Sequence, residues 1–292
     1  MKIGLVYRKD ISSFAEIVKL IKEKAPYEFI DMGYVPSKKE DGPAQKEVTI
    51  KKLKKENPNS VIFIGPDSWQ IQEATKPPKS INIVVDPTRK APNLVHMGPP
   101  VKEALEAFKG VYPSLKKVFL MTISSKCKYS NSFIRMAKTE NLETELVEIK
   151  SPQKLINKFA KRTFSKGDAI LLVPRTESAI YPLIQTLVLL EQRHSIPVMS
   201  FSRNHVKLGV LIAYEKTPPQ IAMETLAHLK RFFGKANVKK HLSQDPSKNK
   251  NKTWWYNSTV AKYLDIPNRL FEKINALPVF TEKTTRIGAK RF

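Results

Sequence analysis

Cysteine is almost missing from this chain: Cys127 is the only one in 292 residues. A single thiol excludes an internal disulfide framework and any multi-cysteine zinc site. Flanked by Lys126 and Lys128, whose charges favour a thiolate, it reads as a lone exposed thiol, and it leaves the compartment open. Long apolar runs are missing too. The longest candidate, Ala179 to Leu190, is broken by Pro182 and Gln185 and falls short of the roughly 18–20 apolar residues of a membrane span, so a soluble chain is expected. Met1-Lys2 leads straight into Ile3-Gly4-Leu5-Val6-Tyr7, which is too short for a signal-peptide apolar region and has no Ala-x-Ala site, so any export signal is either trimmed or was never there.

The signatures of common chemistry are equally scarce. There is no G-x-G-x-x-G, no G-x-x-x-x-G-K-[ST] and no G-x-S-x-G, which removes support for dinucleotide, P-loop and α/β-hydrolase readings. His96, His194, His205, His228 and His241 show no metal-ligand spacing and no H-E-x-x-H setting, so surface or capping histidines are expected. The sequence therefore predicts no catalytic residue, no metal and no cofactor.

Acidic residues are the last shortage: 27 Asp+Glu face 51 Lys+Arg, a formal net charge of +24. A basic surface attracts polyanions and binds them in a salt-dependent way. Trp254-Trp255-Tyr256, just after the lysine-rich run ending at Lys252, could serve as a stacking platform for single-stranded nucleic acid. Against this, only 11 of the 51 basic residues are Arg, the residue favoured for bidentate phosphate contacts, and the lysines are spread over every helical segment instead of forming a stripe. A solvated lysine-rich exterior with Trp254 and Trp255 packed on the core is the expectation. No specific nucleic-acid partner is expected, and a polyanion-binding protein stands as the alternative.

What the chain does have is alternation. Short β-branched runs at Ile3–Tyr7, Val61–Ile64, Ile81–Val85, Lys117–Ile123, Glu143–Ile149, Ala169–Val173, Ile196–Phe201 and Val210–Tyr214 are separated by helical patterns at Ser13–Lys24, Lys46–Glu56, Val101–Val111, Asn131–Glu140, Pro152–Phe164, Ser178–His194 and Pro219–Phe233. This is the pattern of βαβ units on parallel sheets, so an α/β fold is predicted. The series restarts at Lys117–Ile123, after Tyr112-Pro113-Ser114, which predicts two Rossmann-like lobes. Ligands sit beyond the carboxyl ends of parallel strands, so two facing lobes would share a cleft lined by their strand-to-helix loops. Six such loops are polar: Tyr7-Arg8-Lys9-Asp10, Gly65-Pro66-Asp67-Ser68-Trp69, Asp86-Pro87-Thr88-Arg89, Ser130-Asn131-Ser132, Pro174-Arg175-Thr176-Glu177-Ser178 and Ser200-Phe201-Ser202-Arg203. Helix capping accounts for any one Ser, Thr or Asn among them; six on one rim point to a ligand. The candidate ligand-binding residues are Tyr7, Asp67, Ser68, Asp86, Ser130, Asn131, Ser132, Arg175, Thr176, Glu177, Ser202 and Arg203. From Asn237 a Lys/Ser/Asp/Pro segment reads as a solvated crossover, order resumes at Trp254 with an amphipathic stretch from Thr259 to Leu277, and Pro278 to Phe292 reads as a basic tail.

The order of several segments resembles the ABC-transporter substrate-binding protein family that includes the tryptophan- and tyrosine-binding lipoproteins, a branch of the type I periplasmic binding protein fold. Pro113-Ser114-Leu115-Lys116-Lys117-Val118 is similar to its "P-x-x-K-R-V", Tyr129-Ser130-Asn131-Ser132 to its "N-S" loop and Ala169-Ile170-Leu171-Leu172-Val173-Pro174 to "D-A-x-x-x-x-P". Ser195-Ile196-Pro197-Val198 with Val206 and Gly209 resembles "x-I-P-V … V-x-x-G-A", and Asn257 to Pro267 resembles the terminal "N-x-x-x-A-K-x-L-G … I-P". The resemblance implies lobe one at residues 1–112 plus 202–237, lobe two at 113–201 plus 238–277, three crossings, and closure on a small organic ligand handed to an ABC permease, without catalysis. It implies a monomer in the periplasm or cell envelope once a signal is trimmed; a native start at Met1 would make it cytoplasmic. Where many members carry an Asp suited to a ligand ammonium, this chain has Arg175-Thr176-Glu177. Glu177 suits an ammonium, and Arg175 suits a carboxylate or another anion, so an amino acid and a small carboxylate are both open.

Overall fold

A computed structural model of the chain describes residues 1–35, 42–65, 68–84, 93–122, 127–149, 151–160, 162–174, 181–233 and 253–279. In chain order the elements are β1 (Lys2–Val6), α1 (Ser12–Lys24), β2 (Glu28–Asp31), α2 (Gly42–Glu56), β3 (Ser60–Ile64), α3 (Ser68–Thr75), β4 (Ser80–Val84), β5 (Leu94–His96), α4 (Val101–Val111) and β6 (Lys117–Thr122). There follow α5 (Lys128–Thr139), β7 (Glu143–Glu148), α6 (Pro152–Ala160), β8 (Asp168–Leu172), α7 (Tyr181–His194), β9 (Val198–Ser200), α8 (Arg203–Lys207) and β10 (Ile212–Tyr214). The chain ends with α9 (Pro218–Phe233), β11 (Trp254–Asn257), α10 (Ser258–Tyr263), α11 (Asn268–Lys273) and β12 (Leu277–Val279). They form two compact units. The first takes in Met1–Met97 and returns at Lys216 with α9; the second takes in Gly98–Glu215 and resumes with β11.

The first unit is built on a parallel sheet in the order β2-β1-β3-β4-β5. Side chains alternate across a strand, so each strand serves two layers. Ile3, Leu5, Ile62, Ile64, Ile81 and Ile83 pack under Phe14, Ile17, Val18 and Ile21 of α1 and Ile221, Ala222, Leu226 and Leu229 of α9. Val6, Val61 and Phe63 point the other way, against Leu53 of α2 and Ile71 of α3. Covered on both faces, β3 is buried at every position, as expected of a central parallel strand. Each fully buried aliphatic side chain contributes roughly 1.5–3 kcal/mol. The return into α9 is held by the Gln220 side chain: the Thr217 N–H and hydroxyl both donate to Gln220 Oε1, at 2.6 and 3.0 Å.

The second unit carries a seven-stranded sheet, order β12-β11-β10-β9-β8-β6-β7. Every neighbouring pair is parallel except β10 with β11. Val118 and Leu120 face α4, α5 and α11 through Phe108, Phe133 and Phe271; Phe119 and Met121 face α6 and α7 through Phe159, Ile184 and Leu187. The two-residue period of β6 thus divides this core into two layers.

Several expectations shift. Residues 98–112 and 202–215, assigned to lobe one, lie in the second unit, because α4 packs on the β6 layer and β10 pairs with β9. Pro278 and Val279 belong to β12 instead of a tail, because β12 pairs in parallel with β11. The amphipathic stretch from Thr259 divides into α10, α11 and β12. β2 and β5 were not foreseen. They are short and half-exposed, so neither shows a continuous apolar run. Trp254, Trp255 and Tyr256 are 4, 8 and 6% exposed. They pack on the core, with Tyr256 stacked on Phe271 at 4.2 Å between ring centroids, and offer no stacking platform. Cys127 is half-buried at the start of α5 instead of exposed, packed against the second unit's core. His96, His194, His205 and His228 are half-buried, not surface residues; His241 lies outside the described residues. No helix among the described residues is long and apolar enough to cross a membrane.

Candidate functional site

Each unit has its own carboxyl-terminal rim, where the parallel strands hand over to helices and where such sheets place ligands. In the first unit β1 leads into Tyr7, which is 5% exposed. Its hydroxyl donates to Asp31 Oδ2 at 3.2 Å. Burial first, and the Asp31 carboxylate second, push the Tyr7 phenol up to about 12. Asp31, at the end of β2, is the hub of this rim. It receives Lys22 Nζ at 2.6 Å and the Gly33 N–H at 3.0 Å, with Lys9 Nζ at 3.8 Å. Partial burial works against the Asp31 charge, but these donors outweigh it and hold the carboxyl below its ordinary range. A Cβ on Gly33 would come within 2.5 Å of Lys9 Cε and 2.9 Å of Tyr7 Cε1, so only glycine lets the Lys9 stem lie over that backbone. Ser68, at the start of α3, is buried, and its hydroxyl donates to the Gly65 carbonyl at 2.6 Å. Tyr7 and Ser68 therefore hold the rim together through their polar atoms.

On the second unit's rim, Ser130, Asn131 and Ser132 do not form a loop, as the sequence suggested; they sit in the first turns of α5, which starts at Lys128. The earlier start follows from amphipathicity: Tyr129 and Phe133 face the core one turn apart. Ser130 is fully buried, and its hydroxyl has no partner among the described residues. Asn131 is exposed, and Ser132 accepts from Arg135 Nη2 at 3.3 Å. After β9, Ser202 caps α8 by accepting the Asn204 N–H at 3.2 Å. Arg203 opens α8 and is exposed, with its guanidinium carbon 4.2 Å above the centre of the Trp255 ring. The remaining candidates, Asp67, Asp86, Arg175, Thr176 and Glu177, lie outside the described residues.

Among the described residues one nucleophile–base contact is present: Ser200 Oγ lies 2.5 Å from His205 Nδ1. Ser200 has no exposed surface, so no substrate reaches its hydroxyl, and burial pushes the His205 imidazole down to about 4. The pair anchors α8 to β9. Among the described residues no group of three or more His, Cys, Asp or Glu side chains is placed to hold a metal ion.

No protein-family model matches the chain, and no curated protein matches its sequence. Solved structures do. The chain is similar over 96% of its length, and 99% of theirs, to the ligand-free, open form of a substrate-binding protein with adhesive properties from Clostridium difficile, with a TM-score of 0.67 and 15% identity. It is similar over 95% of its length to an ABC domain from Streptococcus pneumoniae in complex with L-Trp, 99% of which is covered, with a TM-score of 0.61 and 16% identity. The fold is that of the type I periplasmic binding proteins. A LacI transcriptional regulator from Lactobacillus brevis shares it more distantly, over 80% of this chain and 94% of the regulator, with a TM-score of 0.52 and 13% identity.

Within this type I fold three acids that sequence reasoning passed over, together with Trp255, organise the described sites. Asp31 gathers the first rim. Glu215 accepts the Arg203 backbone N–H and, through its carbonyl, the Trp255 indole N–H at 3.2 Å. Glu191 is wholly buried at the opposite, amino-terminal ends of β9 and β10, where Oε1 accepts the N–H groups of Val198 at 2.8 Å and Leu211 at 3.2 Å. Burial pushes its carboxyl well above the ordinary value near 4.5, against the pull of those two donors. In the sequence Glu191 stands beside Gln192 and Arg193 and reads as part of a solvated helix end.

Proposed function

We propose that the chain is a non-enzymatic solute-binding protein that captures a small organic ligand at its strand-end rims and delivers it to an ABC permease outside the cytoplasmic membrane. The observation that carries this reading is a fold shared along 95–96% of the chain with a substrate-binding protein and with an ABC domain in complex with L-Trp, together with polar residues fixed at the strand carboxyl ends of both units. A solute-binding protein from Mycobacterium smegmatis with bound glycerol is a further relative in fold, with a TM-score of 0.51. Capture would strip water from the rim groups and bury the ligand's apolar part, and the closed form is what a permease would read. No bond is made or broken. The working unit is a monomer, and its contacts are drawn from the rim residues named from the sequence, of which Asn131 and Arg203 are exposed while Ser68 and Ser130 are buried and support the rim. The likeness to a LacI regulator favours one second reading, a ligand-sensing module on the same fold.

The test is a thermal-shift screen of the full chain against amino acids, small carboxylates, sugars and nucleosides, with native mass spectrometry for any co-purified solute. A ligand at a hundred times its Kd adds about 2.7 kcal/mol, several degrees of Tm at this size. A flat screen with no co-purified solute sinks the reading. Loss of uptake of the identified solute on gene deletion separates transport from sensing.

A further inference from the structure

We infer that Arg203 is the ligand-anchoring residue of the second unit's rim and that the ligand carries a carboxylate; this rests on the solute-binding reading above. The guanidinium carbon lies over the Trp255 ring, 4.2 Å from its centre, on an exposed residue. It has no carboxylate partner among the described residues. Glu215, the acid beside it, directs Oε2 to the Arg203 backbone N–H, so that acid holds the loop and leaves the side-chain fork unpaired.

The support beneath the fork is rigid. Trp255 is 8% exposed, and its indole N–H is tied to the Glu215 carbonyl at 3.2 Å. The Glu215 N–H in turn donates to the Thr253 carbonyl at 2.8 Å. The helix carrying Arg203 is pinned from three sides: the Ser202 cap, the Ser200–His205 contact and the Asn257 amide, which donates to the Val206 carbonyl at 2.9 Å. A charged side chain with four rotatable bonds normally loses entropy on binding; stacked on a fixed ring, this one has lost much of it beforehand. The planar fork matches the two oxygens of a carboxylate in a bidentate pair. The Arg203 cation beside the Glu215 carboxylate suits a monoanion better than a dianionic phosphate, which the acid would repel more strongly.

The experiment is calorimetric titration of the full chain with acid and amide pairs (L-tryptophan and L-tryptophanamide, L-leucine and L-leucinamide, glutarate and glutaramide), with D-ribose, adenosine and inorganic phosphate alongside. One acid is expected to bind and its amide to bind at least about tenfold more weakly. Arg203→Ala should weaken the acid about 10- to 100-fold, as expected for a lost charge-assisted pair, Arg203→Lys should recover only part of it, and the Tm of the ligand-free variants should stay at the wild-type value. An amide that binds as well as its acid, or an acid that Arg203→Ala binds unchanged, overturns the inference. If ribose, adenosine or phosphate is the solute that binds, the carboxylate assignment falls while solute binding stands. If nothing binds and nothing co-purifies, both fall together.

Discussion

Replacing Glu191 by Gln isolates the cost of a buried carboxyl group. The side chain is wholly buried, Oε1 accepts two backbone N–H groups, and Oε2 has no partner among the described residues. An ionised carboxylate there would leave a charge with little solvation, so the folded state keeps the proton well above the ordinary value near 4.5. The unfolded chain gives it up at that ordinary value. Above it the native state binds more protons than the unfolded state, so stability falls as pH rises, by up to about 1.4 kcal/mol per pH unit, until the folded group itself ionises. The amide keeps the Oε1 acceptor and carries no titrating proton. The stability of Glu191→Gln relative to wild type should therefore climb as pH rises above about 4.5, with a slope approaching that limit until the folded carboxyl ionises. Glu191→Ala instead leaves two buried N–H groups unpaired, at about 1–3 kcal/mol each, together with a cavity, and should be destabilised at every pH. Urea unfolding at each pH, followed by Trp254 and Trp255 fluorescence in a Trp69→Phe background, reads the unit that holds Glu191; of the 3 tryptophans only Trp69 lies in the other unit. A pH-independent difference between wild type and Glu191→Gln would refute the argument, since it would mean that Glu191 ionises as freely in the fold as out of it.

His205 has the opposite sign: burial pushes it down to about 4, so its contribution is present above about 6.5 and lost as pH falls through 4, by up to about 3 kcal/mol. His205→Asn should flatten that acid limb in urea titrations, and NMR titration of the ring should place its midpoint far below that of an exposed histidine. Gly65→Ala should cost about 2–4 kcal/mol by thermal unfolding, because φ is 88° and the new Cβ would stand 2.6 Å from Phe14 Cε2 of the buried core. Tyr7→Phe removes one hydrogen bond to Asp31 and should cost about 0.5–1.5 kcal/mol; a loss of ligand affinity with no change in stability would instead make Tyr7 a direct contact. Binding to generic duplex DNA should be weak, indifferent to sequence and abolished between 50 and 200 mM salt; tight binding that survives 200 mM salt would revive the polyanion alternative.

Legibility followed burial. Most strands read correctly from the sequence, such as β3 and β8, are buried along their whole length, β7 being a half-exposed exception; a strand covered by helices on both faces must be apolar throughout, and that leaves a continuous run in the sequence. β2, with its half-exposed Phe29 and Ile30, gives no such run, and β11 was read as an aromatic cluster because its strand character comes from antiparallel pairing with β10. Among the candidate site residues, Ser202 and Arg203 were read as part of a polar loop after a strand; the structure has them at the start of α8, a five-residue helix too short to leave a periodic pattern in the sequence. Ser68 and Tyr7 were identified as polar rim residues, but their hydrogen bonds run to Gly65 and Asp31, partners that no local pattern names.

The sequence by itself determined the α/β class, the restart at Lys117 and the lysine-rich exterior, because these follow from composition and periodicity along the chain. Only the tertiary structure decided which acid meets which donor. Glu191 lies 7 residues from Val198 and 20 from Leu211, and Trp255 lies 40 from the Glu215 carbonyl that fixes it. Those contacts depend on strand order, above all on β11 pairing antiparallel with β10. Sheet pairing is set by packing between distant segments, and no window of neighbouring residues encodes it. The net charge of +24 is a property of the whole surface. The charge on Arg203 is specific because the fold sets an indole beneath it and commits the neighbouring acid elsewhere.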